Sequence, residues 1–155
     1  MKKILLVFFY FATTLVACTN DECQEDLVLK DKIRSSILES KKTGKDFNFA
    51  TVADFEWDSL IIIGSYYPLD RYSEASKVDL SCVNNLKRME NLQAIVFTKN
   101  RKVISMINHP EPDGAFEYTA YPLVYTKKNA VFKVMDVTKR REIKDSLQNF
   151  IVFYK

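Results

Sequence analysis

Leu60-Ile61-Ile62-Ile63, closed by Gly64, is the stretch whose reading decides the fold. The run is continuous rather than alternating, and three of its four residues are β-branched. That pattern suits a strand buried on both of its faces. Upstream stands Phe55-Glu56-Trp57-Asp58; downstream comes the aromatic and proline cluster Tyr66-Tyr67-Pro68. Trp57 is a large apolar body with one donor, so beside a buried strand it reads first as a core anchor. Asp58 then caps a turn or accepts a hydrogen bond where the strand begins. The competing reading places Trp57, Tyr66, Tyr67 and Tyr72 together as an interaction surface, because Trp and Tyr give contact area at low entropic cost.

Further out, the pattern continues as strands. Residues 92–98 and 103–108 flank Lys99-Asn100-Arg101-Lys102 and predict a β-hairpin. His109-Pro110-Glu111-Pro112-Asp113-Gly114 predicts a turn. Residues 123–126 and 130–137, around Lys127-Lys128-Asn129, predict a second hairpin, and 150–154 a last strand. Residues 68–91 are polar and carry a helical or irregular connection. Residues 139–149 are ambiguous: Ile143 and Leu147 suggest a helical turn, but Lys139, Arg140 and Arg141 would oppose a helix dipole.

Before the first strands, residues 27–42 predict an amphipathic helix. Leu29, Ile33 and Ile37 recur every four residues with Leu38 beside them. Asp26 is a suitable N-cap, Lys41 and Lys42 fall in the last turn, and Gly44 suits the position after it. One such helix followed by hairpins predicts an α+β class, the helix packed on one mainly antiparallel sheet. No repeat or second domain is visible.

The N-terminus has a different character. Lys2 and Lys3 precede an uncharged run from Ile4 to Ala17, the pattern of an export signal. The run is shorter than the ~20 residues a membrane-crossing helix requires. Leu15-Val16-Ala17-Cys18 resembles the lipobox of bacterial lipoprotein signals. That resemblance implies a signal over residues 1–17, cleavage before Cys18, and acylation of Cys18 as the first mature residue. Two or more acyl chains anchor stably where one does not, so the membrane is the first implied partner. Residues 18–26, with Asp21, Glu22, Glu25 and Asp26, are expected as a solvated acidic tether, and 27–155 as a single domain. In the sorting known for such lipoproteins, aspartate after the cysteine favours inner-membrane retention. Thr19 stands there, which favours the outer membrane of a two-membrane envelope; clustered acids after the cysteine also resemble surface-export signals.

The chain from Phe55 onward, Phe-x-Trp-Asp, a short strand and an aromatic-proline pair, resembles a group of uncharacterised small bacterial lipoproteins. It departs from that pattern in placing Tyr66-Tyr67 before Pro68. The likeness implies membership and no activity.

Loss of Lys2 and Lys3 with the signal lowers the net charge from +3 to +1, which is no footprint for nucleic acid. Beyond Cys18 only Cys23 and Cys82 remain. An envelope compartment permits disulfides, so they can pair or stay as thiols. A bridge would contribute about 4 kcal/mol on the loop-entropy account.

No catalytic constellation stands out. His109, the single histidine, with Glu111 and Asp113 lacks the further ligands of a metal site and reads as part of a solvated turn. Ser65 after Gly64 lacks the second glycine of a nucleophile elbow. Glu56 and Asp58 share a strand face without further support as an acid pair. With three glycines there is no phosphate loop. Lys139-Arg140-Arg141 with Lys144 reads as a solvated face, or a contact for acidic headgroups. No cofactor is expected. The expectation is a non-enzymatic envelope protein that binds another protein, as an inhibitor, immunity or accessory protein. The alternative is a binder of a small apolar ligand or glycan in an aromatic cleft.

Overall fold

The structure, a computed structural model, describes residues 23–64, 68–83, 91–117, 124–136 and 150–153. The elements in chain order are α1 (Leu27–Thr43), β1 (Phe47–Asn48), α2 (Phe49–Val52), β2 (Ser59–Gly64), α3 (Leu69–Ser76), β3 (Leu92–Lys99), β4 (Lys102–Pro110), β5 (Ala115–Glu117), β6 (Val124–Tyr125), β7 (Val131–Asp136) and β8 (Phe150–Phe153). The class is α+β, as the sequence predicts, but the strands form two sheets rather than one. Sheet 1 has the order β4-β3-β2-β6 and sheet 2 the order β1-β7-β8-β5.

β2 is interior to sheet 1, paired antiparallel with β3 and β6. Its two faces serve two different cores. Leu60 and Ile62, with Ile95 and Phe97 of β3, join the sheet 2 residues Phe116, Phe132 and Ile151 in the larger cluster. Ile61 and Ile63, with Ala94, Val96 and Met106, meet Leu69 and Tyr72 of α3 together with Val78, Leu80 and Val83. The unbroken aliphatic run is therefore required by burial on both sides. Between the sheets, Phe49 is the hub of an aromatic set. Its ring lies 4.7–5.8 Å from those of Phe47, Phe97, Phe116 and Phe132, mostly edge to face, the arrangement ring quadrupoles favour.

The β3–β4 hairpin forms as expected, with its turn at Asn100 and Arg101, both left-handed (φ 51° and 62°). Positive φ at both central residues marks the primed turn that matches strand twist. The second expected hairpin does not form. β6 pairs with β2 in sheet 1, whereas β7 pairs with β1 and β8 in sheet 2. The 126–130 turn therefore carries the chain from one sheet to the other. β7 and β8 are parallel, which no hairpin can supply.

α1 starts and stops where its signals predict. The Asp26 carboxylate accepts a hydrogen bond from the Leu29 N–H at 2.9 Å, and Gly44, at φ 72°, closes the helix by donating to the Ser40 carbonyl. Leu29, Ile33 and Ile37 are buried in the larger cluster. Leu38 is not; it stays 47% exposed, and Ser40 takes the next buried place on the stripe.

Candidate functional site

Of the expected aromatic surface, the structure places Trp57 and Tyr72, and it does not bring those two together. Trp57 is buried, its ring edge to face with Phe97 at 5.5 Å, and it belongs to the cluster between the sheets. Tyr72 is buried on the opposite side of sheet 1, in the cluster beneath α3. The two side chains thus lie on different faces of β2 and cannot contact one partner. Tyr66 and Tyr67 lie outside the described residues, as do Ser65, Cys18 and the basic run at 139–144.

The residues around Trp57 are structural. The Asp58 carboxylate accepts the Asn100 backbone N–H at 2.7 Å, and the Asp58 N–H donates to the Thr98 carbonyl at 2.8 Å. Asp58 therefore caps the β3–β4 turn from the neighbouring strand. Glu56 pairs instead with Lys127 at 3.1 Å, and that ammonium sits 5.8 Å from the centre of the Trp57 ring. The two carboxylates are used separately, so they make no acid pair. The Trp57 indole N–H is buried without a hydrogen-bond partner.

Cys23 and Cys82 are bonded to each other, with Cα atoms 5.0 Å apart and a sequence separation of 59. The chain just after Cys23 is fixed as well. Glu25 bridges to Met106 in parallel fashion, the Asp26 N–H donates to the Met106 carbonyl, and the Glu25 carboxylate accepts from the Asn108 N–H and from Lys30. Burial pulls the Glu25 pKa upward, but Lys30 and the Asn108 N–H outweigh it and hold it below the ordinary value. Residues 23–26 therefore belong to the folded unit, on the outer edge of β4, and not to a solvated tether. Their acids are consumed as a strand-edge ligand and a helix cap.

His109 corrects a second expectation. It lies in β4 rather than in a solvated turn, is 1% exposed, and donates from Nε2 to the Gly114 carbonyl at 2.8 Å. A carbonyl can only accept, so the neutral ring carries its proton on Nε2. Burial holds the His109 pKa below the usual value, assisted by Lys30 and Arg34 and opposed by the Gly114 carbonyl and Asp113. Gly114 has φ 112°, and a Cβ there would meet Ile151 at 2.6 Å, so only glycine fits. Beside His109 in register is Gln93, whose side-chain amide accepts from the Phe116 N–H at 2.7 Å and donates to the Phe116 carbonyl at 2.9 Å. The carboxamide acts as a one-residue strand on the open edge of β5 and ties sheet 1 to sheet 2. Sequence reasoning passed over Gln93 and placed His109 in a solvated turn. The signal was strand parity: Gln93 is in phase with Ile95 and Phe97, and His109 with Ile107, all on the face turned to sheet 2.

Among the described residues no cluster of His, Cys, Asp or Glu could hold a metal ion, and no helix is long and apolar enough to cross a membrane. A concave surface of about 680 Å³ lies between α1 and α2. It is lined by Val28, Asp31, Lys32, Ser35 and Ser36 of the first helix and by Thr51, Val52 and Asp54. Val28 is 69% exposed, and Lys32 spans the groove to Asp54. Comparison of the chain with protein-family models, curated proteins and solved structures finds no match in any of the three.

Proposed function

We propose that this protein is a cell-envelope lipoprotein, anchored by acylated Cys18, whose domain binds another protein rather than catalysing a reaction. The observation that carries the reading is the N-terminal order of Lys2-Lys3, an uncharged apolar run, and Leu15-Val16-Ala17-Cys18. The Cys23–Cys82 bond supports it, because structural disulfides persist in oxidising compartments such as the periplasm and cell surface. Thr19 after the acylated residue favours the outer membrane. An inhibitor, immunity or accessory role fits a domain whose described aromatic residues are packed into its cores and whose described surface includes a shallow, mixed groove.

On this reading α1 covers the sheets with its buried stripe and presents its other side, with α2, to the partner. Val28, Ser35, Ser36 and Thr51 offer small apolar and hydroxyl contacts flanked by the Lys32–Asp54 pair. The experiment has two parts. The intact mass of the protein isolated from its native host should equal residues 18–155 plus acyl chains. A photo-crosslinking residue at Ser36 should give one discrete protein adduct in the native envelope, and the same residue at Glu74 on α3 should not. A mass that includes Met1, or a mature start without acyl mass, refutes the anchor. Identical adduct patterns from Ser36 and Glu74 refute the groove.

A further inference from the structure

Three parts of the chain meet at one end of sheet 1. Ser59, at the start of β2, faces Thr98, and Leu60 faces Tyr125; the β3–β4 turn follows Thr98, and the 126–130 turn follows Tyr125. The Asp58–Asn100 hydrogen bond and the Lys127–Glu56 ion pair hold the three together. This end carries Lys99, Arg101, Lys102, Lys127 and Lys128, all exposed. Only Lys127 is ion-paired among the described residues. The nearby acids are occupied: Glu56 by Lys127, Asp58 by the Asn100 N–H, and Asp54 by Lys32.

Two details of the hairpin are unusual for a purely structural turn. Arg101 holds a left-handed conformation at φ 62°, where glycine is the favoured residue. A β-bulge, in which Phe97 faces Ser105 and Thr98 faces Val103, leaves Ile104 out of the ladder and 44% exposed. A charged tip with an adjacent exposed aliphatic side chain matches a phospholipid surface, which offers anionic headgroups over an apolar layer.

The path of the N-terminal segment points the same way. Glu25 lies beside Met106 in parallel, so the chain traced back from Glu25 runs towards the β4 start at Lys102. Cys23 packs in the same cluster as Val103. Residues 19–22 alone separate Cys18 from the disulfide-fixed Cys23, a reach of at most about 18 Å for an extended chain.

We infer that this basic end of sheet 1 is the membrane-facing surface and rests on anionic phospholipid headgroups. The inference depends on the acylated Cys18 proposed above. Asp21 and Glu22 in the linker carry the opposite sign, so the attraction comes from the two turns.

The test uses the native, acylated protein reconstituted into vesicles. One set is phosphatidylcholine; the other contains about 30% phosphatidylglycerol, enough for a negative surface potential. Flotation comes first, followed by brief modification with a water-soluble amine reagent and peptide mass analysis. Modification of Lys99, Lys102 and Lys128 should fall about threefold or more in the anionic vesicles and recover in high salt, as screening requires. Lys42 and Lys45 are exposed and precede β1, which lies antiparallel to β7, so they sit away from the 126–130 turn; they should react equally in both. The variant R101E/K102E/K128E, which keeps Lys99 as the reporter, should still float, melt as the parent does, and lose the protection at Lys99. Failure to float, or absence of acyl mass, overturns the anchor and this inference together. Flotation with equal lysine reactivity in both lipids, or protection that survives in the variant, overturns the inference and leaves the anchor standing.

Discussion

Replacing Gln93 by Leu should lower stability by about 2–4 kcal/mol. Gln93 is 4% exposed, and its carboxamide satisfies both the N–H and the carbonyl of Phe116, itself 1% exposed. Phe116 lies on β5, whose only ladder partner among the described residues is β8, and both of these backbone groups point away from β8 to Gln93. A leucine leaves them buried and unmet, at about 1–3 kcal/mol each, while its own burial returns roughly 1 kcal/mol. In urea unfolding followed by the single tryptophan, the midpoint should fall with the slope unchanged. The melting temperature should fall by roughly 5–15 °C for a domain of this size. Gln93→Glu supplies the sharper control. Ionised, it keeps the acceptor for the Phe116 N–H, loses the donor to the carbonyl, and buries a charge. Burial raises a carboxyl pKa above its unfolded value. Stability relative to the parent is therefore greatest below the unfolded pKa and is lost as pH rises through the folded one. The deficit of Gln93→Glu should shrink on acidification, whereas that of Gln93→Leu should not. If Gln93→Leu melts within a degree of the parent, or if the two variants share one pH dependence, the clasp between the sheets is not what holds β5 in place.

Three further outcomes follow from the same contacts. Cys23→Ser with Cys82→Ser should destabilise by about 4 kcal/mol, from the chain entropy released in a loop of this length, measured by denaturant unfolding against the oxidised parent. The depressed His109 pKa means that the unfolded state binds the proton more readily; this contribution is complete above the unfolded value of 6.5 and is lost as pH falls through the folded pKa. His109→Gln should flatten that part of a stability-versus-pH curve, and a curve unchanged by the substitution would contradict the assignment. Arg101→Gly should raise stability by about 0.5–1 kcal/mol, since glycine removes the left-handed penalty at the turn; a loss of stability would show that the arginine side chain packs usefully.

Much of the fold was legible because the signals were local. The Asp26 cap, the Leu29-Ile33-Ile37 stripe, the Gly44 stop and the Lys99–Lys102 hairpin each lie within a few residues of chain, where backbone geometry and side-chain chemistry act directly. The doubly buried β2 was legible for the same reason: its composition reports its surroundings on both sides. The candidate site was less so. Trp57 was readable as a core residue, and Asp58 as a cap, but grouping Trp57 with Tyr72 required knowing which face of sheet 1 each occupies. Sequence proximity to β2 says nothing of that.

By itself the sequence determined the α+β class, the first helix with both of its ends and the buried central strand, and it holds the N-terminal residue pattern on which the proposed anchor rests. Tertiary structure alone decided that there are two sheets, that the turn after Tyr125 passes between them, and that β7 lies parallel to β8. It alone decided that Cys23 meets Cys82, and that Gln93 and His109 are buried where the sheets join. The division has one physical cause. Propensity, capping and periodicity act over a turn or two of chain, whereas strand partnership is chosen by where remote apolar faces can be buried together with every backbone edge satisfied.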